Sequence, residues 1–239
     1  MTSAPPAPEP AREVFGARWP LAEAYAELLV TDGVTRGLIG PREAPRIWER
    51  HLLNCAVVGE LIEVDATVAD VGSGAGLPGL VLAIARPDLR ITLVEPLLRR
   101  TRFLDEVVSD LDLGERVKVH RGRAEDLAGE RTFGVVTARA VAPLEKLAGW
   151  CLPLVAPHGA LVAMKGASAR EEATAAGPAL ARLGCSPPEV VALGAGVLSE
   201  PTWAVRVLRP ETGPIGWRAA AAGTDRRDRT RSSKQRRTV

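Results

Sequence analysis

The period of the apolar positions changes several times along the chain, and each change marks an element. From Pro20 to Leu29, Leu21, Tyr25, Leu28 and Leu29 fall at i, i+4, i+7 and i+8, one face of a helix. A longer helix is predicted from about Pro45 to Ile62. There Ile47, His51, Cys55 and Ile62 share a face, and Pro45 suits the first turn. The pattern then shortens. Thr67–Val71 is an apolar, β-branched run that reads as a buried strand. It breaks into glycines and resumes as an apolar helix over Leu80–Ala85, ended by Arg86-Pro87-Asp88. Further strands are predicted at Arg90–Glu95, Arg116–His120, Phe133–Ala138 and Ala160–Lys165. Helices are predicted over Leu97–Leu113, Pro143–Leu152 and around Ala169–Leu183. Two last strands fall near Glu189–Leu193 and Thr202–Leu208. Alternating strands and helices predict an α/β fold, a mostly parallel seven-stranded sheet with helices on both faces. The last two strands lack a long helix between them, so they form a hairpin with an antiparallel last strand.

Composition divides the chain into four parts. Residues 1–19 open Ala/Pro-rich and are expected to be disordered. Residues 20–64 form N-terminal helices packed on the sheet, and residues 65–211 form the core. Residues 212–239 are a basic tail. From Arg218 to Val239 eight Lys/Arg stand against two acids, a net of +6, which leaves 23 basic against 27 acidic residues elsewhere, a net of −4. A mildly acidic body with a basic arm without apolar periodicity suits a disordered tail that attracts nucleic acid by counterion release, or one that only solubilises. No apolar run approaches the ~20 residues that span a bilayer. The N-terminus shows no basic head followed by an apolar segment. Cys55, Cys151 and Cys185 are odd in number and far apart, which argues against a disulfide framework and a zinc site, so no metal is expected. These features predict a cytoplasmic protein.

The glycines after the first strand carry the chemistry. Asp70-x-Gly72-x-Gly74-x-Gly76 places an acid two residues before three alternate glycines, whereas a dinucleotide site has its third glycine one residue later. The pattern resembles motif I of the class I S-adenosylmethionine-dependent methyltransferases, a Rossmann-like fold. That cofactor carries an ammonium and a sulfonium and no pyrophosphate, so a nearby acid makes electrostatic sense. In open α/β sheets ligands bind beyond the carboxyl ends of the strands. The second strand ends at Glu95, placed either to accept ribose hydroxyls or to sit at a helix N-terminus. Arg123-Ala124-Glu125-Asp126 follows the third strand, placed to meet an adenine edge or to cap a helix. The fourth ends at Arg139 and the fifth at Lys165-Gly166. Acids collect at the first three ends and bases at the last two, which predicts cofactor on one half and a phosphate-bearing substrate on the other. Arg99, Arg100 and Arg102 make either an RNA-facing patch or a solvated helix face.

Asp70 to Gly79 (with the extension Gly76-Leu77-Pro78-Gly79) is followed in order by Arg102-Phe103-Leu104, Arg123-Ala124-Glu125-Asp126, Thr137-Ala138-Arg139-Ala140 and Lys165-Gly166, and Arg50-His51 precedes the first strand. Together they resemble the bacterial small-subunit ribosomal RNA guanine-N7 methyltransferases, also called glucose-inhibited division protein B. The likeness runs from roughly Arg46 to Arg209. It implies S-adenosyl-L-methionine as cofactor, with Gly72, Leu77, Ala124, Glu125 and Arg139 lining its pocket. Asp70, Gly74, Gly76 and Glu95 join them from the motif reading. It also implies a guanine in the decoding-centre loop of 16S rRNA as substrate and the small ribosomal subunit as partner; a monomer with no membrane partner is expected. Many members carry an Asp where this chain has Asn54, which bears on any role of His51.

Missing motifs narrow the reaction. No Asn-Pro-Pro-aromatic or Asp-Pro-Pro-aromatic signature follows the fourth strand, which disfavours exocyclic amine methylation. No Pro-Cys dipeptide offers a cytosine-C5 nucleophile, and Cys151 reads as a core residue. Guanine N7 has an in-plane lone pair and no proton, so its methylation needs alignment and no general base. No dedicated acid–base residue is expected. Arg139, Lys165 and His51 are the candidates for orienting substrate, although a histidine on a buried helix face also reads as a hydrogen-bonded core residue. The rival readings are a methyltransferase for a small molecule or protein, an NAD-dependent oxidoreductase, and a non-catalytic RNA-binding assembly factor.

Overall fold

Alternation of side chains across each strand decides the architecture. In β1 (Thr67–Val71) Val68 faces one helical layer, while Ala69 and Val71 face the other. A strand buried on both faces must have helices on both sides. The computed structural model describes residues 3–139 and 141–211. The remaining strands are β2 (Arg90–Glu95), β3 (Val117–Arg121), β4 (Phe133–Arg139), β5 (Val155–Lys165), β6 (Glu189–Leu193) and β7 (Thr202–Leu208). They form one seven-stranded sheet in the order β3-β2-β1-β4-β5-β7-β6. Pairing is parallel from β3 through β5, and β7 runs antiparallel to both of its neighbours. The order reverses beside β1, between β1 and β4, which puts the switch point at the glycine turn.

One face of the sheet is covered by α1 (Glu9–Phe15), α2 (Trp19–Leu28), a helical run over residues 44–61, α4 (Gly79–Ala85) and α5 (Leu98–Asp110). Short α6 (Ala124–Leu127), α7 (Leu144–Cys151) and α8 (Ala169–Arg182) cover the other. The amphipathic α5 buries Phe103, Leu104 and Val107 and leaves Arg99 and Arg102 in solvent. The predicted strands recur within a residue or so, except that β5 starts five residues earlier, at Val155.

Two predicted stretches differ. Residues 9–15, placed in a disordered N-terminus, form α1. Proline is tolerated in a first helical turn, and Ala11 and Phe15, four apart, are both buried. The segment ahead is also tied down. Trp48 Nε1 donates to the Pro5 carbonyl at 2.9 Å, and the Trp19 and Trp48 rings stack 5.2 Å apart. A few large apolar anchors outweigh the Ala/Pro composition. The helix predicted over Pro45–Ile62 is one helical run with changing hydrogen-bond pitch: 3₁₀ at Ala44–Arg46, π at Ile47–Leu53, α3 (Asn54–Ala56), then 3₁₀ at Val57–Leu61. The widened turn contains His51 and abuts α3, where Cys55 lies. The expected disorder of tail residues 212–239 lies outside the described residues. Among those, no helix is long and apolar enough to cross a membrane.

Candidate active site

The glycine turn follows from backbone geometry. Gly72, Gly74 and Gly76 have φ of +73°, +60° and +99°, left-handed values that cost an L-residue about 1–2 kcal/mol each. Close approach adds a second reason at Gly72, where a Cβ would lie 2.9 Å from Val141 Cγ2. The turn is held from both sides. Above it, Glu95 Oε2 accepts the Gly74 N–H at 3.1 Å, and Oε1 accepts the Leu97 N–H at 3.0 Å. Arg100 Nη1 stands 3.4 Å from the same carboxylate, which is almost wholly buried. Below it, the Tyr25 hydroxyl donates to the Ala75 carbonyl at 2.7 Å. Burial pushes the Tyr25 phenol well above its ordinary pKa, so it stays a donor. Removing that hydroxyl with Tyr25→Phe leaves a buried carbonyl unpaired. It should cost about 1–3 kcal/mol in denaturant unfolding; an unchanged midpoint would mean water replaces the hydroxyl.

Asp70 lies beneath the turn and not on a cavity wall. It is fully buried, and Oδ2 accepts the Gly79 N–H at 3.0 Å, holding the start of α4. Oδ1 has no partner. Burial raises its pKa to about 7, against the pull of the Gly79 N–H.

Two cavities open at the carboxyl ends of the strands. The first has a volume of about 680 Å³ and is walled by Gly72, Glu95, Leu97, Ala124, Glu125, Arg139, Val141 and Trp150, among others. Of the sequence-predicted cofactor set, Gly72, Glu95, Ala124, Glu125 and Arg139 lie on this wall. Asp70, Gly74, Gly76 and Leu77 do not; they shape the turn behind it. The two readings of the acids after β3 divide between neighbours. Asp126 Oδ2 accepts the Arg123 N–H at 2.7 Å, as a cap, and Glu125 faces the cavity. The second cavity, about 530 Å³, is walled by Arg50, Asn54, Arg139, Val141, Lys165 and Glu172, among others.

Arg139 stands between the two. Its Nη2 lies 2.9 Å from His51 Nδ1 and donates to the Arg50 carbonyl at 3.4 Å; Nη1 donates to Cys55 Sγ at 3.2 Å. His51 Nε2 lies 3.0 Å from Glu43 Oε2. Burial, then the Arg139 charge, lowers the His51 pKa to about 4. The imidazole is therefore neutral at neutral pH. Its Nδ1 accepts from Arg139, and its Nε2–H donates to Glu43. The carboxylate that orients His51 is thus Glu43, and Asn54 lies on the second cavity wall instead. Nothing in the spacing around Glu43 signals this, because a turn brings it back onto the helix. Lys165 is nearly buried and is paired with Glu172 at 2.8 Å. Tyr25 carried a legible signal, a hydroxyl on an apolar helical face that needs a partner.

The pH dependence of this cluster has a definite sign. His51 binds a proton at about 6.5 when unfolded and at about 4 when folded. Its contribution is fully present above pH 6.5 and is lost as pH falls towards 4, about 3 kcal/mol in all. Asp70 works oppositely, since its folded pKa of about 7 lies above the unfolded value. The stability difference between wild type and His51→Gln isolates the histidine. It should shrink by about 3 kcal/mol between pH 7 and pH 4 in urea titrations; a difference independent of pH would place the imidazole in water.

Comparison with known proteins bears on the fold and on the family. A solved S-adenosylmethionine-dependent methyltransferase from Aquifex aeolicus has a TM-score of 0.52 at 18% identity, covering 72% of this chain and 97% of that one. The Pyrococcus horikoshii protein TYW2, solved in complex with MeSAdo, gives 0.52 at 11% identity over 68% and 63%. These likenesses show the fold. Sequence relatives are much nearer. A protein named ribosomal RNA small subunit methyltransferase G from Nocardioides sp. is 62% identical over 91% of this chain and 87% of its own length. Its namesake from Streptomyces coelicolor is 55% identical over 95% of each. The model of the family described as GidB, rRNA small subunit methyltransferase G, matches residues 19–198. With that match and those relatives, the chain belongs to the rRNA small subunit methyltransferase G family.

Proposed function

We propose that this chain transfers a methyl group from S-adenosylmethionine to N7 of a guanine in the decoding-centre loop of 16S rRNA, acting as a monomer on the small ribosomal subunit in the cytoplasm. The observation that carries this reading is the meeting of two cavities at Arg139 and Val141, within a chain of this family.

The first cavity fits the cofactor. Its volume of about 680 Å³ lies within the ~300–1,000 Å³ usual for small-molecule sites. Glycine at position 72 keeps its floor free of a Cβ, and Glu95 stands on its wall, where Oε1 keeps a lone pair beyond the Leu97 N–H for a ribose hydroxyl. Ala124 and Glu125 line it as well and would meet an adenine edge, while Asp70, buried beneath the turn, shapes it from behind. When bound, the cofactor supplies an electrophilic methyl on a sulfonium. The protein's part is to orient. Arg139, held rigid by three acceptors, presents charge to both cavities, where it can hold a phosphate or a base edge. Neither His51 nor Cys151 is used as a base or nucleophile. His51 spends both ring nitrogens on Glu43 and Arg139, and burial raises the Cys151 thiol far above neutral.

The test is methyl transfer from labelled S-adenosylmethionine to small subunits that lack the modification, followed by mapping of the labelled nucleotide. Label on N7 of one guanine in the decoding-centre loop is the expected result. Label elsewhere, or full RNA affinity without transfer, defeats it.

A further inference from the structure

Among the described residues, Arg139 and Val141 are the two that line both cavities, and they form part of the wall between them. Arg139 is anchored by the N-terminal helical run. Val141 is not, and it belongs to no regular element: the segment Val141–Pro143 runs outside the sheet between β4 and α7. Two backbone groups just past Val141 are held from outside the segment. The Ala142 carbonyl accepts from Lys165 Nζ at 2.7 Å, and the Leu144 N–H donates to Glu172 Oε2 at 2.9 Å. Lys165 and Glu172 close on each other at 2.8 Å, and Ser168 Oγ donates to Glu172 Oε1 at 3.0 Å. The lysine side chain is only 7% exposed. A nearly buried ammonium with two acceptors is placed to order backbone; an RNA-contacting lysine would keep its head in water.

We propose that Lys165 and Glu172 are positioning residues whose ion pair clasps Val141–Leu144 and thereby sets where Val141 stands between the two cavities. This rests on reading those cavities as donor and nucleotide sites. The clasp acts on alignment. In-line transfer demands near-contact geometry, and a displacement of about 1 Å costs about 100-fold in rate. Freeing the segment should therefore lower kcat while binding on either side is spared.

The experiment measures kcat and KM on unmodified small subunits, the Kd of S-adenosylhomocysteine, and deuterium exchange over residues 139–147. For Lys165→Met we expect kcat to fall about 30-fold, with KM and Kd within about threefold. Exchange over 139–147 should accelerate about tenfold, because the Ala142 carbonyl loses its donor and Glu172, the acceptor of the Leu144 N–H, loses the charge that holds it. Glu172→Gln keeps an acceptor for Leu144 but loses the charge, so its kcat should fall less, about fivefold. The double variant should be no worse than Lys165→Met alone, since both changes open one clasp. Should Lys165→Met fail to fold, Glu172→Gln decides by the same readouts. A raised KM with unchanged kcat and a salt slope lower by about one would make Lys165 a phosphate contact and overturn the clasp. Unchanged kcat and exchange would overturn it too. A wild type that transfers nothing to subunits defeats the functional reading instead, while exchange and cofactor affinity still report on the clasp.

Discussion

Replacing Arg139 with alanine is expected to lower kcat/KM for methyl transfer by two to three orders of magnitude, about 3–4 kcal/mol of transition-state stabilisation. Among the described residues Arg139 is the one cation on the walls of both cavities, and its guanidinium is held by the His51 ring, the Cys55 sulfur and the Arg50 carbonyl. Truncation removes the charge and leaves the neutral His51 Nδ1 without a donor. Lysine does not replace it. Three acceptors fan around a planar fork, and an ammonium on a flexible stem cannot serve that fan while facing two cavities. Arg139→Lys should recover no more than about a tenth of the lost activity. Steady-state kinetics with S-adenosylhomocysteine affinity in parallel checks both variants. A kcat/KM within threefold of wild type for the alanine variant would remove Arg139 from the site.

The second large effect concerns the turn itself. Gly76→Ala should destabilise the fold by about 3–5 kcal/mol, with the melting temperature about 10 °C lower. At φ +99° an L-residue is strained outright. Its Cβ would also be driven into the Leu80 side chain and would stand 2.8 Å from the Tyr25 hydroxyl. Leu80 lies in the apolar first turn of α4, packed against β2, and cannot retreat without opening the core. Relief by moving the turn would break the Tyr25–Ala75 bond instead. Calorimetric melting measures the loss. A shift under 2 °C would show that the turn can re-form around a methyl group. Gly74, whose nearest neighbour would be the Gly72 carbonyl at 3.8 Å, is under φ strain alone, so Gly74→Ala should cost less than half as much.

The same residues separate what local pattern conveys from what it does not. β6 and β7 lie at the two last apolar, β-branched runs expected to be strands, Glu189–Leu193 and Thr202–Leu208. The acid-glycine turn was legible because positive φ leaves glycine little competition. The N-terminal helix was not legible. It is held by Ala11 and Phe15 in the core, with the Phe15 ring against Trp48 some thirty residues on, and composition averaged over a window erases two such anchors. At the site, the wall residues Gly72, Glu95, Ala124, Glu125 and Arg139 were legible as strand ends, since a parallel sheet delivers them all to one edge. Glu43, Glu172 and Val141 were not, because each acts through a partner that is near only in space.

From its order of residues alone this chain determines an α/β sheet, the edge at which its two cavities open, and the split of acids and bases along that edge. Those follow from periodicity and from left-handed glycines, both local properties. Tertiary structure decided the pairings: His51 with Glu43, Arg139 with His51 and Cys55, Lys165 with Glu172. Hydrogen bonds and ion pairs act over about 3 Å regardless of separation along the chain. Only the packed fold sets which charges come that close, and so whether a lysine faces RNA or holds the wall between two cavities.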